Sequence, residues 1–426
     1  MQVDRERGIN EPSLRVPSAV RALGYRPFRL FWFGAAVSGV GSLMQAAALA
    51  WIVAAETQSA LRTTLITLAT LAPIAVLGPW AGTLADRYDR RGMLRWFTVA
   101  GLVQALTTWA AWVLGWHSYG VLFALSLATG VLTAITSPSW QAFVADLVPT
   151  GAVQNAVMLN STQNNLARAI GPMGAGFVIA HQGPAWCFAI NVISFLATLW
   201  ALAALPEIPA QVRSSGNTGV LRGLRIAGQH AVERRGLLAS IVGHFVFATV
   251  AIPVNSLIPI VAVTVLERGA DSYGLLAGCV GVGAILSAMV IGTIDRRVRP
   301  SSLLLSGTLI GAVGLGVLAS VSTLGPAVVS LGLYGVAYLV FTAINLAAVQ
   351  RLSHPRIRGR MASLWMQSYG IGLPIGLVVQ GVLADRWGVR TMIAIDAVIL
   401  GVGALAALLT GFLRTMDVEP QPDSSS

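Results

Sequence analysis

Few side chains in this sequence could do chemistry, and they are far apart. Only 11% of the 426 residues are charged, and every basic one is arginine. Metal or nucleophilic catalysis needs such groups clustered at fixed spacing. The five histidines (His117, His181, His230, His244, His354) are scattered, and neither an HExxH nor a glycine-rich phosphate loop occurs. Cys187 and Cys279 lie in separate apolar runs and read as small buried side chains. No metal, cofactor or enzymatic activity is expected. Three isolated groups remain inside apolar runs. Asp396 is placed to take up and release a proton, or to serve as a hydrogen-bonded structural carboxylate. His244 has a side chain of the type that titrates near neutral pH, or it only hydrogen-bonds. Arg168 meets an anionic ligand or an acid, or it pairs with backbone carbonyls near the end of its helix. The densest charge is the stretch GTLADRYDRR, Gly82 to Arg91, which holds Asp86, Arg87, Asp89, Arg90 and Arg91.

The elements that position these groups must be apolar helices. The chain is 55% hydrophobic, with a mean hydropathy of +0.72. Soluble domains carry about 25% charged residues, so this composition could not cover a water-facing surface. Roughly 20 apolar residues span a bilayer as a helix. Twelve such runs are expected between residues 28 and 412, continuous and not alternating as in a β-barrel. With the N-terminus in the cytoplasm, 23 arginines fall in inside segments and 4 outside (Arg62, Arg268, Arg386, Arg390). That bias places both termini in the cytoplasm, and a multi-pass place in the cytoplasmic (inner) membrane is the expected localisation. It also argues against nucleic acid as the partner of the net charge of +11, because the charge follows inside loops. No cleaved signal peptide is expected.

The runs divide into two sets of six. The expected organisation is a cytoplasmic N-terminal segment (1–27), a six-helix half (28–205), a linker (206–236), a second six-helix half (237–413) and a tail (414–426). The linker contains VLRGLRIAGQHAVERRG, which reads as a basic helix with Leu221, Leu224, Ile226 and Val232 available for an apolar side. The halves echo one another. Gly82, Asp86 and Arg87 recur as Gly292, Asp295 and Arg296. GPMGAGFVIAHQGPAWCFAIN (171–191) runs beside GLVVQGVLADRWGVRTMIAID (376–396), pairing Gly171 with Gly376, Gly183 with Gly388 and Asn191 with Asp396. Duplicated helical halves around a central site are a transporter architecture.

These residues carry a resemblance. GTLADRYDRR resembles the signature between the second and third helices of the major facilitator superfamily, with Gly82, Asp86, Arg87, Arg90 and Arg91 in place and Asp89 where a second glycine is usual. RAIGPMGAG (168–176) is similar to the helix-five motif of that superfamily's exporters. FRLFWFGAAVSGVGSLMQAAALAWIV, SPSWQAFVADLVP and GVLADRWGVR resemble the subgroup of enterobactin and macrolide exporters. The resemblance implies an all-α fold of twelve transmembrane helices in two pseudo-symmetric halves. It implies that Asp86 lies near the start of the eleventh span and that Arg90 reaches toward Asp146, together latching the halves. Asp89 would pair near Arg90 or Arg91 and loosen that latch. Arg168, Gly171, Pro172, Gly174 and Gly176 would form the helix-five motif. There Pro172 bends the helix and the glycines pack tightly, against the other half, sealing the cavity, or act in packing alone.

The expected function is a secondary transporter exporting a hydrophobic or amphipathic small molecule, of the drug or siderophore class, by proton antiport. An uptake carrier or facilitator on the same fold is the alternative; a membrane enzyme or a non-transporting sensor is more distant. Asp396 and His244 are the proton-coupling candidates. The cavity would be lined from Gln45, Gln163, Asn164, His244, Phe247, Asn255, Tyr338, Asn345, Gln367 and Tyr369, each of which could instead make a helix–helix hydrogen bond. The expected partners are a small-molecule substrate, protons and lipid, with the chain acting as a monomer.

Overall fold

The computed structural model describes residues 17–87, 89–205, 220–293, 298–354 and 357–417, without the side chains of residues 79, 82–87, 220–226, 292 and 293. Among them are fourteen α-helices and no strand. In lipid a backbone must satisfy its own polar groups, and an uninterrupted apolar run does so as a helix. We number them α1 (Arg26–Thr57), α2 (Ala60–Arg87), α3 (Arg90–Val113), α4 (Tyr119–Asp146), α5 (Val153–Gln182), α6 (Pro184–Ala204), α7 (Val220–Glu233), α8 (Arg235–Val250), α9 (Val254–Ile260), α10 (Ala270–Thr293), α11 (Pro300–Ser320), α12 (Leu324–Leu352), α13 (Arg358–Trp387) and α14 (Val389–Thr410). Helices α8 and α9 are one apolar segment, 235–265, broken at Pro253 and ending in a π-helical turn, Val261–Val265.

Ten segments among the described residues are long and apolar enough to cross a membrane, against the twelve expected. The difference lies in α3 and α5. Helix α5 carries Asn160, Ser161, Thr162, Gln163, Asn164, Asn165 and Arg168 within nine residues, which lowers its apolarity below that of its neighbours.

The described residues fall into two compact units. One comprises those up to Ile52 together with Ala69 through the end of α6; the other comprises Val53–Leu68 together with α7 onward. The turn between α1 and α2 therefore belongs with the second unit, although the sequence division put it in the first half. The duplication is visible in the element starts. Helices α4, α5 and α6 begin at Tyr119, Val153 and Pro184; α12, α13 and α14 begin at Leu324, Arg358 and Val389, each 205 residues later. The paired glycines Gly183 and Gly388 both take positive φ, +89° and +88°, at the turn into α6 and α14. Only glycine adopts that conformation without strain.

Near one end of the first unit Phe28, Phe31, Leu94, Phe143, Leu147 and Leu202 form a closed core. The segment before α1 joins it. Residues Ser18–Gly24 form a 3₁₀ turn, with Ala22 N donating to Asn155 Oδ1 (2.8 Å) and Ala22 and Tyr25 buried. This part of the expected N-terminal segment is thus packed onto the unit. The start of the expected tail is held similarly. Asp417 caps α11, accepting from Ser301 N (3.0 Å) and Ser301 Oγ (2.5 Å). In the linker, α7 buries Ala227 and Ala231 and leaves Val232 exposed. The side chains of Leu221, Leu224 and Ile226 lie outside the described residues.

Candidate functional site

A cavity of about 560 Å³ opens within the first unit, lined by α1, α3, α4, α5 and α6. Its volume is within the range of small-molecule sites. Nine hydroxyl and six carboxamide side chains line it, with Phe97, Trp140 and Phe195 as aromatic walls, and none of its lining residues is ionisable. Helical spacing produces this. Thr129, Thr133, Thr136, Ser137 and Trp140 form one stripe of α4; Val157, Asn160, Ser161 and Asn164 form one stripe of α5.

The floor of the cavity is a carboxamide chain joining four helices. Asn191 Nδ2 donates to Gln45 Oε1 (2.8 Å), Gln45 Nε2 to Gln104 Oε1 (3.4 Å), and Gln104 Nε2 to Thr108 Oγ1 and Leu125 O (both 3.0 Å). Ser42 and Ser194 donate to Asn191 Oδ1. Gln45, Gln104 and Asn191 are buried, so each bond replaces one that water would otherwise supply. The hydroxyls on the walls are differently arranged. Those of Thr98, Thr129, Thr133 and Thr136 donate to the carbonyl four residues earlier, at 2.6–3.0 Å. Their protons are committed, and their lone pairs are what they can present to a ligand.

Of the sequence candidates, Gln45 and Asn164 line this cavity. Gln163, adjacent to Asn164, turns inward, and its buried Oε1 finds no donor among the described residues. The threonine stripe of α4 escaped the sequence reading, although its spacing of 129, 133, 136 and 137 was available as a signal.

At the end of the unit where α3 begins, Arg90 Nη1 lies 2.8 Å from Asp146 Oδ2 at the end of α4, both side chains mostly buried. Asp89 accepts from Gly92 N (2.7 Å) and Arg91 N (3.4 Å), and so is the N-cap of α3. Its expected pairing beside Arg90 or Arg91 is replaced by this backbone role, because Asp is a strong N-cap. Arg91 donates to the carbonyls of Leu202 and Leu205, and Arg95 to Leu202, where α6 ends and its carbonyls need donors. Gly82, Asp86 and Arg87 are in the last turns of α2, but their side chains lie outside the described residues, as do Asp295 and Arg296.

The helix-five motif occupies the middle of α5, which runs unbroken through Pro172. A Cβ on Gly171 would meet Leu43 Cβ at 2.6 Å, and one on Gly174 would meet the Met44 side chain. These two glycines seat α5 on α1 of the same unit. Gly176 is buried, and Arg168 is exposed.

The corresponding positions of the second unit carry aromatic rings. At the positions 205 residues after Thr129, Thr133, Thr136, Asn160 and Asn164 stand Tyr334, Tyr338, Phe341, Trp365 and Tyr369. Phe341 stacks on Phe247 (centroids 4.1 Å, 9°) and Trp365 on His244 (3.9 Å, 10°). Trp365 Nε1 donates to Asn345 Oδ1 (2.8 Å), and His244 Nδ1 lies 2.8 Å from Ser368 Oγ. Asn255 Nδ2 donates to Tyr334 Oη (2.9 Å), which donates to Ala251 O (3.0 Å). The candidates His244, Phe247, Asn255 and Asn345 are thus knitted into helix–helix packing; Tyr338, Gln367 and Tyr369 are partly buried nearby. Asp396 is buried on α14. Gln380 Nε2 donates to its Oδ1 (3.2 Å) and to Val250 O (2.6 Å), while Asp396 Oδ2 finds no donor among the described residues.

A further acid went unnoticed in the sequence. Asp385, at the end of α13, accepts from Ser59 Oγ (2.7 Å), Ala60 N (2.5 Å) and Leu61 N (3.3 Å). It caps α2 from a distant helix, within the second unit.

With this geometry in hand, the likeness to known proteins is specific. A family model for transmembrane secretion effectors (MFS_3) matches residues 18–425. The chain belongs to this family, a branch of the major facilitator superfamily. It is a multi-pass membrane transporter and not an enzyme. Macrolide efflux protein A of Streptococcus pyogenes is 21% identical over 404 residues, covering 92% of this chain and 98% of the relative. The enterobactin exporter of Salmonella typhimurium is 24% identical over 346 residues, covering 80% and 81%. The crystal structure of a POT family transporter with 5-aminolevulinic acid superposes with a TM-score of 0.72 at 13% identity, covering 93% of this chain and 98% of that one. At that identity the superposition bears on the superfamily fold alone.

Proposed function

We propose that this transporter is an exporter in the cytoplasmic membrane, carrying an amphipathic small molecule outward as a monomer, by alternating access and in exchange for protons. The observation that carries the reading is the first unit's cavity. It combines aromatic walls with a carboxamide floor in a volume that suits a small amphipathic molecule. The efflux proteins for macrolides and enterobactin among the relatives support the outward direction. The arginine bias supports cytoplasmic termini, and with them an Arg90–Asp146 end on the cytoplasmic side. There the pair, with Asp86 and Arg87, serves as the inner latch. Asp396, with one carboxylate oxygen bonded and the other without a donor, is the seat for the exchanged proton.

The test uses inside-out vesicles acidified by respiration. Addition of a macrolide or a catecholate siderophore should dissipate part of the proton gradient while the compound accumulates. Asp396→Asn should remove the dissipation and keep the binding. If neither compound moves protons or accumulates, antiport of this substrate class is wrong.

A further inference from the structure

The first unit's cavity has an unusual chemical bias. A ligand seated on side chains with no ionisable group leaves water on that side without gaining a counter-charge, which a net charge tolerates poorly. The walls are rich in threonine oxygens whose own protons are bonded to backbone carbonyls, at Thr129, Thr133 and Thr136. Such oxygens accept hydrogen bonds and cannot easily donate them. The complementary ligand brings donors without charge: a ring of hydroxyl groups. Trp140 and Phe195 offer flat apolar surface of the kind on which the carbon face of a sugar ring rests.

The second unit carries the independent half of this reasoning. Its backbone elements repeat at the same spacing, yet the positions matching Thr129, Thr133, Thr136, Asn160 and Asn164 are aromatic, and two of them are locked in stacked pairs. A ligand recognised evenly by both repeats would need similar surfaces in each.

We propose that the first unit's cavity binds an uncharged, hydroxyl-rich portion of the transported molecule, a glycosyl or polyol group, and that the matching positions of the second unit carry rings so that this recognition rests on one repeat. This deepens the exporter reading and depends on it for the identity of the ligand as cargo.

The experiment measures equilibrium binding to the full-length chain in lipid nanodiscs, with three probes sharing one aromatic body: naphthyl glucoside, naphthyl trimethylammonium and naphthalene sulfonate. The glucoside should bind at least roughly tenfold more tightly than either ion, a difference of about 1.4 kcal/mol. Thr136→Phe, which copies the second unit's side chain into the first, should abolish glucoside binding. Asn164→Asp, close in size and less demanding on folding, should weaken the glucoside and admit the trimethylammonium probe. Either ion binding as tightly as the glucoside overturns the proposal. So does glucoside binding that is indifferent to both substitutions. Because binding is read without flux, selective glucoside binding with no transport would sink the exporter reading and leave the cavity's selectivity standing. Transport of macrolide with no preference among the probes would do the reverse.

Discussion

Helices α4 and α5 and their repeats α12 and α13 share a backbone plan and differ in the side chains they carry at matched positions. Where α4 and α5 present threonine and asparagine, α12 and α13 present tyrosine, phenylalanine and tryptophan. Matching element starts show that the backbone plan of these helices did not have to change for one copy to line a cavity with small polar side chains and the other to carry rings at the same positions. Side-chain volume decided it. The first unit floors its open space with a buried carboxamide chain; the second stacks rings at two of the matched positions. Duplication thus divided two tasks that one bundle does poorly together, since a cavity costs packing and packing excludes a ligand.

Substitutions can break or sharpen that contrast. The largest effect should come from the ring-bearing side: Phe341→Ala removes a ring stacked on Phe247 and should cost about 3–5 kcal/mol. The matched Thr136→Ala in the first unit should stay within about 1 kcal/mol, because the side chain already borders open space. Denaturant unfolding of both variants in the same detergent checks the ratio, and equal losses would deny the contrast. Next, Gln45→Leu strands Asn191 Nδ2 in the cavity floor and should cost about 1–3 kcal/mol; unchanged stability would mean that the carboxamide chain does not hold the space open. Asp385→Ala should cost about 0.5–2 kcal/mol through loss of the α2 cap, read as a lowered thermal midpoint, with Asp385→Asn retaining most of it. The last substitution, Arg90→Ala, is read in transport and not in stability. Its flux should fall while ligand binding persists, and unaltered flux would remove the latch role.

Much of this was legible in the residues. Continuous apolar runs announced the helices, and the glycine matches announced the duplication, down to the positive φ shared by Gly183 and Gly388. Arg90 and Asp146 were marked by a motif, and they lie in contact. The cavity was less legible. Conspicuous polar residues such as His244, Asn255 and Asn345 drew attention, yet a large polar side chain in an apolar helix commonly finds a partner on its neighbour. Threonine gives a weak signal, since its hydroxyl can bond its own helix and its methyl can pack. Whether Thr133 or Thr136 faces a void depends on the volume of every side chain opposite, which no local pattern encodes. Asp89 and Asp385 show the same limit: an acid at a helix end reads as charge, and only the chain path reveals whose backbone it caps.

The Asp385 cap has a consequence for how the protein is made. The first turn of α2 receives its acceptor from a residue 325 positions further along the chain. At roughly 5–20 residues per second, that acceptor leaves the ribosome roughly a quarter of a minute to a minute after Ala60. The opening hairpin must therefore enter the bilayer with this helix end provisionally satisfied, by headgroups or water. Insertion proceeds from the N-terminus forward, whereas completion of this turn waits for nearly the last helix to arrive.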